Sequence, residues 1–97
     1  MAKPQLTAEA LAHEIKQLTG WTIADDGKSI TRHFKFGDFR EAFAFMTNAA
    51  LMAEKLDHHP EWFNVYNKVD VTLTTHDAGG VTELDIALAK AMDSAAA

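Results

Sequence analysis

The stretch EKLDHHPEWFNVYNKVDVTLTTHD, residues 54–77, decides how the rest of the chain is read. It opens at the end of a helical pattern with Asp57-His58-His59-Pro60 and runs on as an aromatic strand. It then turns near Asn67-Lys68 and returns through alternating valines and threonines to His76-Asp77. In an antiparallel hairpin the loop length sets which residues face each other. A two-residue loop at Asn67-Lys68 pairs Tyr66 with Val69 and sets His59 across from His76. A three-residue loop over residues 66–68 pairs Val65 with Val69 and sets His58 across from His76. The second register gathers Phe63, Val65, Val69, Val71 and Leu73 on one face, and it is the one expected. Pro60 has no N–H to give and ends the ladder before the histidines meet. Under either register His58, His59 and His76 converge at one end of the hairpin.

Upstream, Thr7 is placed to cap a helix over residues 8–19, with Leu11, Ile15 and Leu18 as its apolar stripe and Gly20 as its stop. Residues 1–6 read as a loose arm, and His13 lies off the stripe. Residues 21–24 and 29–36 read as two strands joined by Asp25-Asp26-Gly27-Lys28, a hairpin signal. Ile30, Phe34 and Phe36 share a face with Arg32, which is expected to sit near an edge or reach outward, while His33 points the other way. Asp38 and Glu41 have capping-box spacing for a helix of about twenty residues. Its expected buried stripe is Phe39, Phe43, Met46, Ala49 or Ala50, Ala53 and Leu56, with Phe45 and Met52 widening the arc.

Downstream, Ala78-Gly79-Gly80 reads as a flexible turn. Thr82 and Asp85 have the spacing of a second capping box. The last helix carries Leu84, Ala87, Leu88, Ala91 and Met92, with fraying expected from Asp93 to Ala97. The order αββαββα implies an α+β two-layer sandwich, a four-stranded antiparallel sheet with three helices on one face. Trp62, Asn64, Tyr66, Asp70, Thr72 and Thr74 are expected on the other, amphipathic face.

The 97 residues fit a single domain, and a chain of this length buries only about 60–70% of its unfolded surface, so self-association would help it. There is no cysteine, which removes disulfides, thiol nucleophiles and cysteine zinc sites. Nine Lys and Arg stand against fourteen Asp and Glu, with no basic cluster to grip phosphates. No signal-like or membrane-length apolar run occurs, so a cytoplasmic protein without nucleic-acid or membrane contacts is expected.

A helix C-terminus and the carboxylates of Glu54, Asp57, Glu61 and Asp77 surround the histidines and favour protonated imidazole. Glu54, four residues before His58, can share its side of the helix. Imidazoles that change charge near working pH can give a proton to one atom and take one from another. No serine, cysteine or lysine sits beside them as a nucleophile, so a proton-transfer reaction such as a dehydration fits best. Two other readings use the same residues. Three histidines with Asp or Glu can hold zinc, although adjacent His58 and His59 diverge on a helix and no HxxxH spacing occurs. Alternatively, one histidine caps the helix and another packs on Trp62, with Asp85 serving only as a helix cap.

The run from Glu54 through HHPEW, NVYN and Thr75-His76-Asp77 to Gly80, Thr82 and Asp85 resembles the pterin-4a-carbinolamine dehydratases, also called 4a-hydroxytetrahydrobiopterin dehydratases. The resemblance spans essentially the whole chain. It implies dehydration of 4a-hydroxytetrahydrobiopterin to quinonoid dihydropterin, recycling the pterin cofactor of aromatic amino acid hydroxylases, with no metal or bound cofactor. By that match His58 and His76 are general acid/base groups and His59 binds and orients the pterin. Asp57, Thr74, Thr75 and Asp77 match pocket-lining positions, and Asp77 stands where some relatives carry Glu. Glu54 and Asp85, with Pro60 and Trp62, match supporting positions. Family members form homodimers through sheet edges and homotetramers through helix packing. In animals a relative also binds a homeodomain transcription factor as a dimerisation cofactor, which implies the alternative of a protein-interaction module.

Overall fold

A computed structural model describes residues 3–97. The elements are α1 (Ala8–Ile15), β1 (Thr22–Ile23), β2 (Ile30–Lys35), α2 (Phe39–Leu56), β3 (Glu61–Val65), β4 (Lys68–Leu73), a single 3-10 turn (His76–Ala78) and α3 (Glu83–Ala96). The strands form one antiparallel sheet in the order β1-β2-β4-β3. This is the α+β arrangement expected from the element order.

Alternation sorts the sheet into an apolar and a wet face. Ile30 and Phe34 of β2 and Val69, Val71 and Leu73 of β4 are buried, whereas His33, Lys35, Lys68 and Asp70 are exposed. Phe45 of α2 fills the centre against Phe34 and Phe36, with ring centroids 4.6 and 5.0 Å away. Ala42, Ala49 and Ala53 line the same stripe and let α2 lie close to α3. The buried stripe is therefore rotated from the one expected: Phe39 and Phe43 face solvent and pack against each other at a tilt, with centroids 5.5 Å apart. Periodicity could not separate the two stripes, because large apolar residues occupy both. On α3 the buried set is Ile86, Leu88, Ala89 and Met92, so Leu88 and Met92 are shared with expectation while Ala87 points outward.

The central hairpin is shifted by one residue from the preferred register and by two from the other. Val65 pairs with Lys68, Asn64 with Val69 and Trp62 with Val71, leaving Tyr66-Asn67 as the loop. Two asparagines hold it there. Asn64 Nδ2 donates to the Tyr66 and Lys68 carbonyls, and Asn67 Nδ2 donates to the Phe36 carbonyl at 2.9 Å. Tyr66 takes the left-handed backbone that this tight loop requires, at φ 49°. The slip inverts β3 relative to the expectation. Trp62 and Asn64 share the core face with Val69 and Val71, and Phe63 and Val65 are exposed on the outer face.

Four further expectations are corrected. Residues 3–6 are docked: the Leu6 N–H donates to the Val81 carbonyl at 2.8 Å, and Lys3 pairs with Glu83 at 2.9 Å. The expectation for residues 1–2 lies outside the described residues. The glycine turn is closed by a Thr75–Gly80 bridge, with the Gln5 side chain lying over Gly80. Arg32 and the end of α3 hold each other, the third correction. The Asp93 carboxylate accepts from Trp21 Nε1 at 2.7 Å and from Arg32 at 2.5 Å, with the guanidinium 4.2 Å above the Phe34 ring. α1 also stops early, at Ile15, and tighter turns carry Leu18 into the core before Gly20. Asp93→Ala is expected to cost about 2 kcal/mol, because it strands a partly buried guanidinium and an indole N–H. A lower urea midpoint at unchanged slope checks this.

Candidate active site

The site starts where α2 stops. Asp57 adopts the left-handed conformation, φ 52°, and its N–H and that of His58 fold back onto the carbonyls of the last helical turn. That reversal drops His58 inward instead of continuing the helix. Glu54, expected beside His58, reaches His59 instead, with its carboxylate 2.6 Å from Nε2. Pro60 then leads directly into β3. On the other side, β4 ends at Leu73, and Thr74 and Thr75 deliver His76 to the 3-10 turn.

Beneath His58 lies the start of α3. Thr82 and Asp85 form the expected capping box, but Asp85 does more than cap. Its Oδ2 accepts the Thr82 N–H and the Thr75 hydroxyl, both at 2.8 Å, and its Oδ1 accepts His58 Nε2–H at 2.5 Å. The Asp85 side chain is 0% exposed and that of His58 10%. Such burial is tolerable because the carboxylate is met by three donors. Among the described residues no buried side-chain nitrogen or oxygen lacks a partner.

The other two imidazoles follow the same rule at the surface. His59 Nε2 faces Glu54, and His76 Nε2 faces Glu61 at 3.0 Å. A carboxylate only accepts, so each of the three histidines donates through Nε2 and keeps Nδ1 untied to a carboxylate. The exposed pairs are loosely held and contribute little to stability. Only His58 is fixed by burial.

A cavity of about 260 Å³ is lined by Asp57, His58, His59, Thr74, Thr75, His76 and Asp77. All seven residues expected to line the pocket are thus brought to one opening. A neighbouring concavity of about 450 Å³ shares Asp57, His58, Thr75 and Asp77 and adds Lys3, Leu56 and Leu84. Beyond His76 a third, of about 380 Å³, is bordered by Glu61, Thr72, Thr74 and Lys28. Together they offer room for a small bicyclic ligand against polar walls. Trp62 is elsewhere: it packs against the core cluster and borders a shallow hollow with Phe63 and Asp70. No group of three His, Asp or Glu stands in a metal-holding arrangement among the described residues. The sequence reading missed Lys3, Leu56, Leu84 and the Thr82 hydroxyl. Only Thr82 left a signal, its capping-box spacing.

A family model described as pterin 4 alpha carbinolamine dehydratase matches residues 4–95. The chain belongs to that family. A protein of Sinorhizobium fredii is 62% identical over 97 residues, covering 100% of this chain and 92% of its own length. One of Rhizobium johnstonii is 61% identical, covering 100% and 96%. Both carry a provisional pterin-4-alpha-carbinolamine dehydratase designation. A crystal structure described as transcriptional coactivator/pterin dehydratase from Brucella melitensis superposes with a TM-score of 0.94 at 56% identity, covering 96% of this chain and 99% of that one. The pterin dehydratase family frame therefore extends over the helix end, hairpin and capping box that carry the site.

Proposed function

We propose that this chain dehydrates 4a-hydroxytetrahydrobiopterin to quinonoid dihydropterin and water, with His58 and His76 as the proton-transfer groups. The reading rests on one observation: imidazoles from a helix end, a strand entry and a strand exit border one cavity. Protonated imidazole gives its proton to the 4a-hydroxyl, the C4a–O bond breaks and water leaves. Neutral imidazole takes the N5 proton, and the electrons left on N5 form the double bond to C4a. One proton is given and one taken, so exchange with solvent resets the pair. His76, with its side chain 84% exposed, suits that exchange, and His58, held by Asp85, suits a fixed position against the ring. His59, steadied by Glu54, orients the pterin, with Asp57, Thr74 and Asp77 as further walls. No metal or bound cofactor is invoked, and metal analysis tests that part: stoichiometric zinc would count against it.

The product is the form returned to reductive recycling for aromatic amino acid hydroxylases, which makes such an enzyme the functional neighbour. We read the protein as cytoplasmic; no helix among the described residues is long and apolar enough to cross a membrane. His76→Ala is expected to lower kcat roughly 100-fold without changing the melting temperature, as loss of one acid/base group does. A coupled assay with a hydroxylase reads it, and near-normal turnover would count against the role.

A second reading has a specific basis. The outer face of α2 exposes Phe39, Phe43, Leu51 and Met52, and the Brucella protein is described as a coactivator. That face suits a protein partner or self-association as a homodimer or homotetramer. Activity that survives the histidine substitutions, with partner binding lost on Phe43→Glu, would favour it.

A further inference from the structure

We infer that Thr82 and Thr75 are positioning residues for His58, joined in a one-way chain of hydroxyl hydrogens that fixes which imidazole nitrogen faces the cavity. The inference rests on the proposed dehydration at this site. The direction of each hydrogen follows from counting donors. Asp85, as a carboxylate, only accepts, and a hydroxyl has a single hydrogen to give. Thr75 gives its hydrogen to Asp85 Oδ2, so in its 2.9 Å contact with Thr82 it must be the acceptor. Thr82 is then the donor, and its oxygen accepts the Leu84 N–H at 3.2 Å.

The chain therefore runs from the first turn of α3 through Thr82 and Thr75 to Asp85, while the Thr82 N–H closes on the same Oδ2. Thr82 and Asp85 are both 0% exposed, so water is not at hand to repair a reversed link. With Oδ2 filled by two donors, Oδ1 remains for His58 and can hold only an Nε2–H. Nδ1 is thereby the ring atom presented to a ligand. The same count changes what Thr75 offers: its hydrogen is committed inward, so the Thr75 hydroxyl does not donate to a pterin.

The test uses the full chain. Thr75→Val and Thr82→Val each remove one link, and Thr82→Ser keeps both the hydroxyl and the helix cap. Each valine variant is expected to lose roughly 10-fold in kcat with KM within about twofold, and Thr82→Ser to return kcat to within about twofold of the parent. The far-downfield proton resonance of His58 Nε2–H, assigned by its loss in His58→Ala, should move in both valine variants and stay in place in Thr82→Ser. Thr75→Val leaves the α3 cap intact, so the test stands even where Thr82→Val does not fold. An unchanged kcat and an unmoved resonance in Thr75→Val, with His58→Ala slow, overturns the inference and leaves the proposed function standing. Normal turnover in His58→Ala overturns the proposed function itself.

Discussion

Replacing His58 with alanine is expected to slow dehydration by roughly 10²–10⁴-fold, the range for loss of a positioned acid/base group. The effect should exceed that of His76→Ala, for a geometric reason. His58 is nine-tenths buried and has one hydrogen-bonding arrangement open to it, whereas His76 and His59 sit on exposed side chains with exposed glutamate partners. Orientation is part of the catalytic gain, and only His58 has it built into the apo fold. The substitution also removes one of three donors from Asp85, which should cost about 1–3 kcal/mol. Turnover must therefore be measured well below the melting temperature. An imidazole added to the buffer that restores part of the rate would identify the lost group as a proton carrier.

Asp85→Ala is expected to be the most destabilising single change in the site, at about 3–5 kcal/mol, because it leaves several donors without an acceptor. It strands the Thr82 N–H, the Thr75 hydroxyl and His58 Nε2–H at once, around a fully buried position. For a domain of 97 residues each kcal/mol moves the melting temperature by about 4–8 °C, so the loss is easily seen by calorimetry. Asp85→Asn separates fold from chemistry. Its amide oxygen still accepts from Thr82 and Thr75, but its NH₂ meets His58 and demands an acceptor, which puts the imidazole hydrogen on Nδ1. A variant that folds nearly as well as the parent yet turns over slowly is the expected result. Full activity in Asp85→Asn would show that the tautomer of His58 does not matter.

How much of this was legible in the sequence depended on the range of the interaction. Caps are local: Asp38, Thr82 and Asp85 were readable from spacing of three residues, and Thr7 as an N-cap residue ahead of an apolar stripe. Element order and the gathering of three histidines were also readable, because hairpin connection leaves few ways to fold back. Register was not. It was set by Asn64 and Asn67 reaching carbonyls around the loop and across to Phe36, contacts with no periodic signature. The partner of His58 was hidden for a similar reason: proximity in sequence favoured Glu54, yet the left-handed Asp57 swung the ring toward a carboxylate 27 residues away. Arg32 looked misplaced on an apolar face until Asp93, 61 residues on, supplied its counter-charge.

α3 is moored at two points. Near its start Asp85 is bound into the chemistry, and eight residues on, about 12 Å along the axis, Asp93 is clasped by Trp21 and Arg32. A rod fastened at both stations transmits a tilt at one end to the other. Loosening the distant mooring should therefore shift the buried carboxylate at the other end, although Asp93 itself stands well outside the cavity that His58 borders.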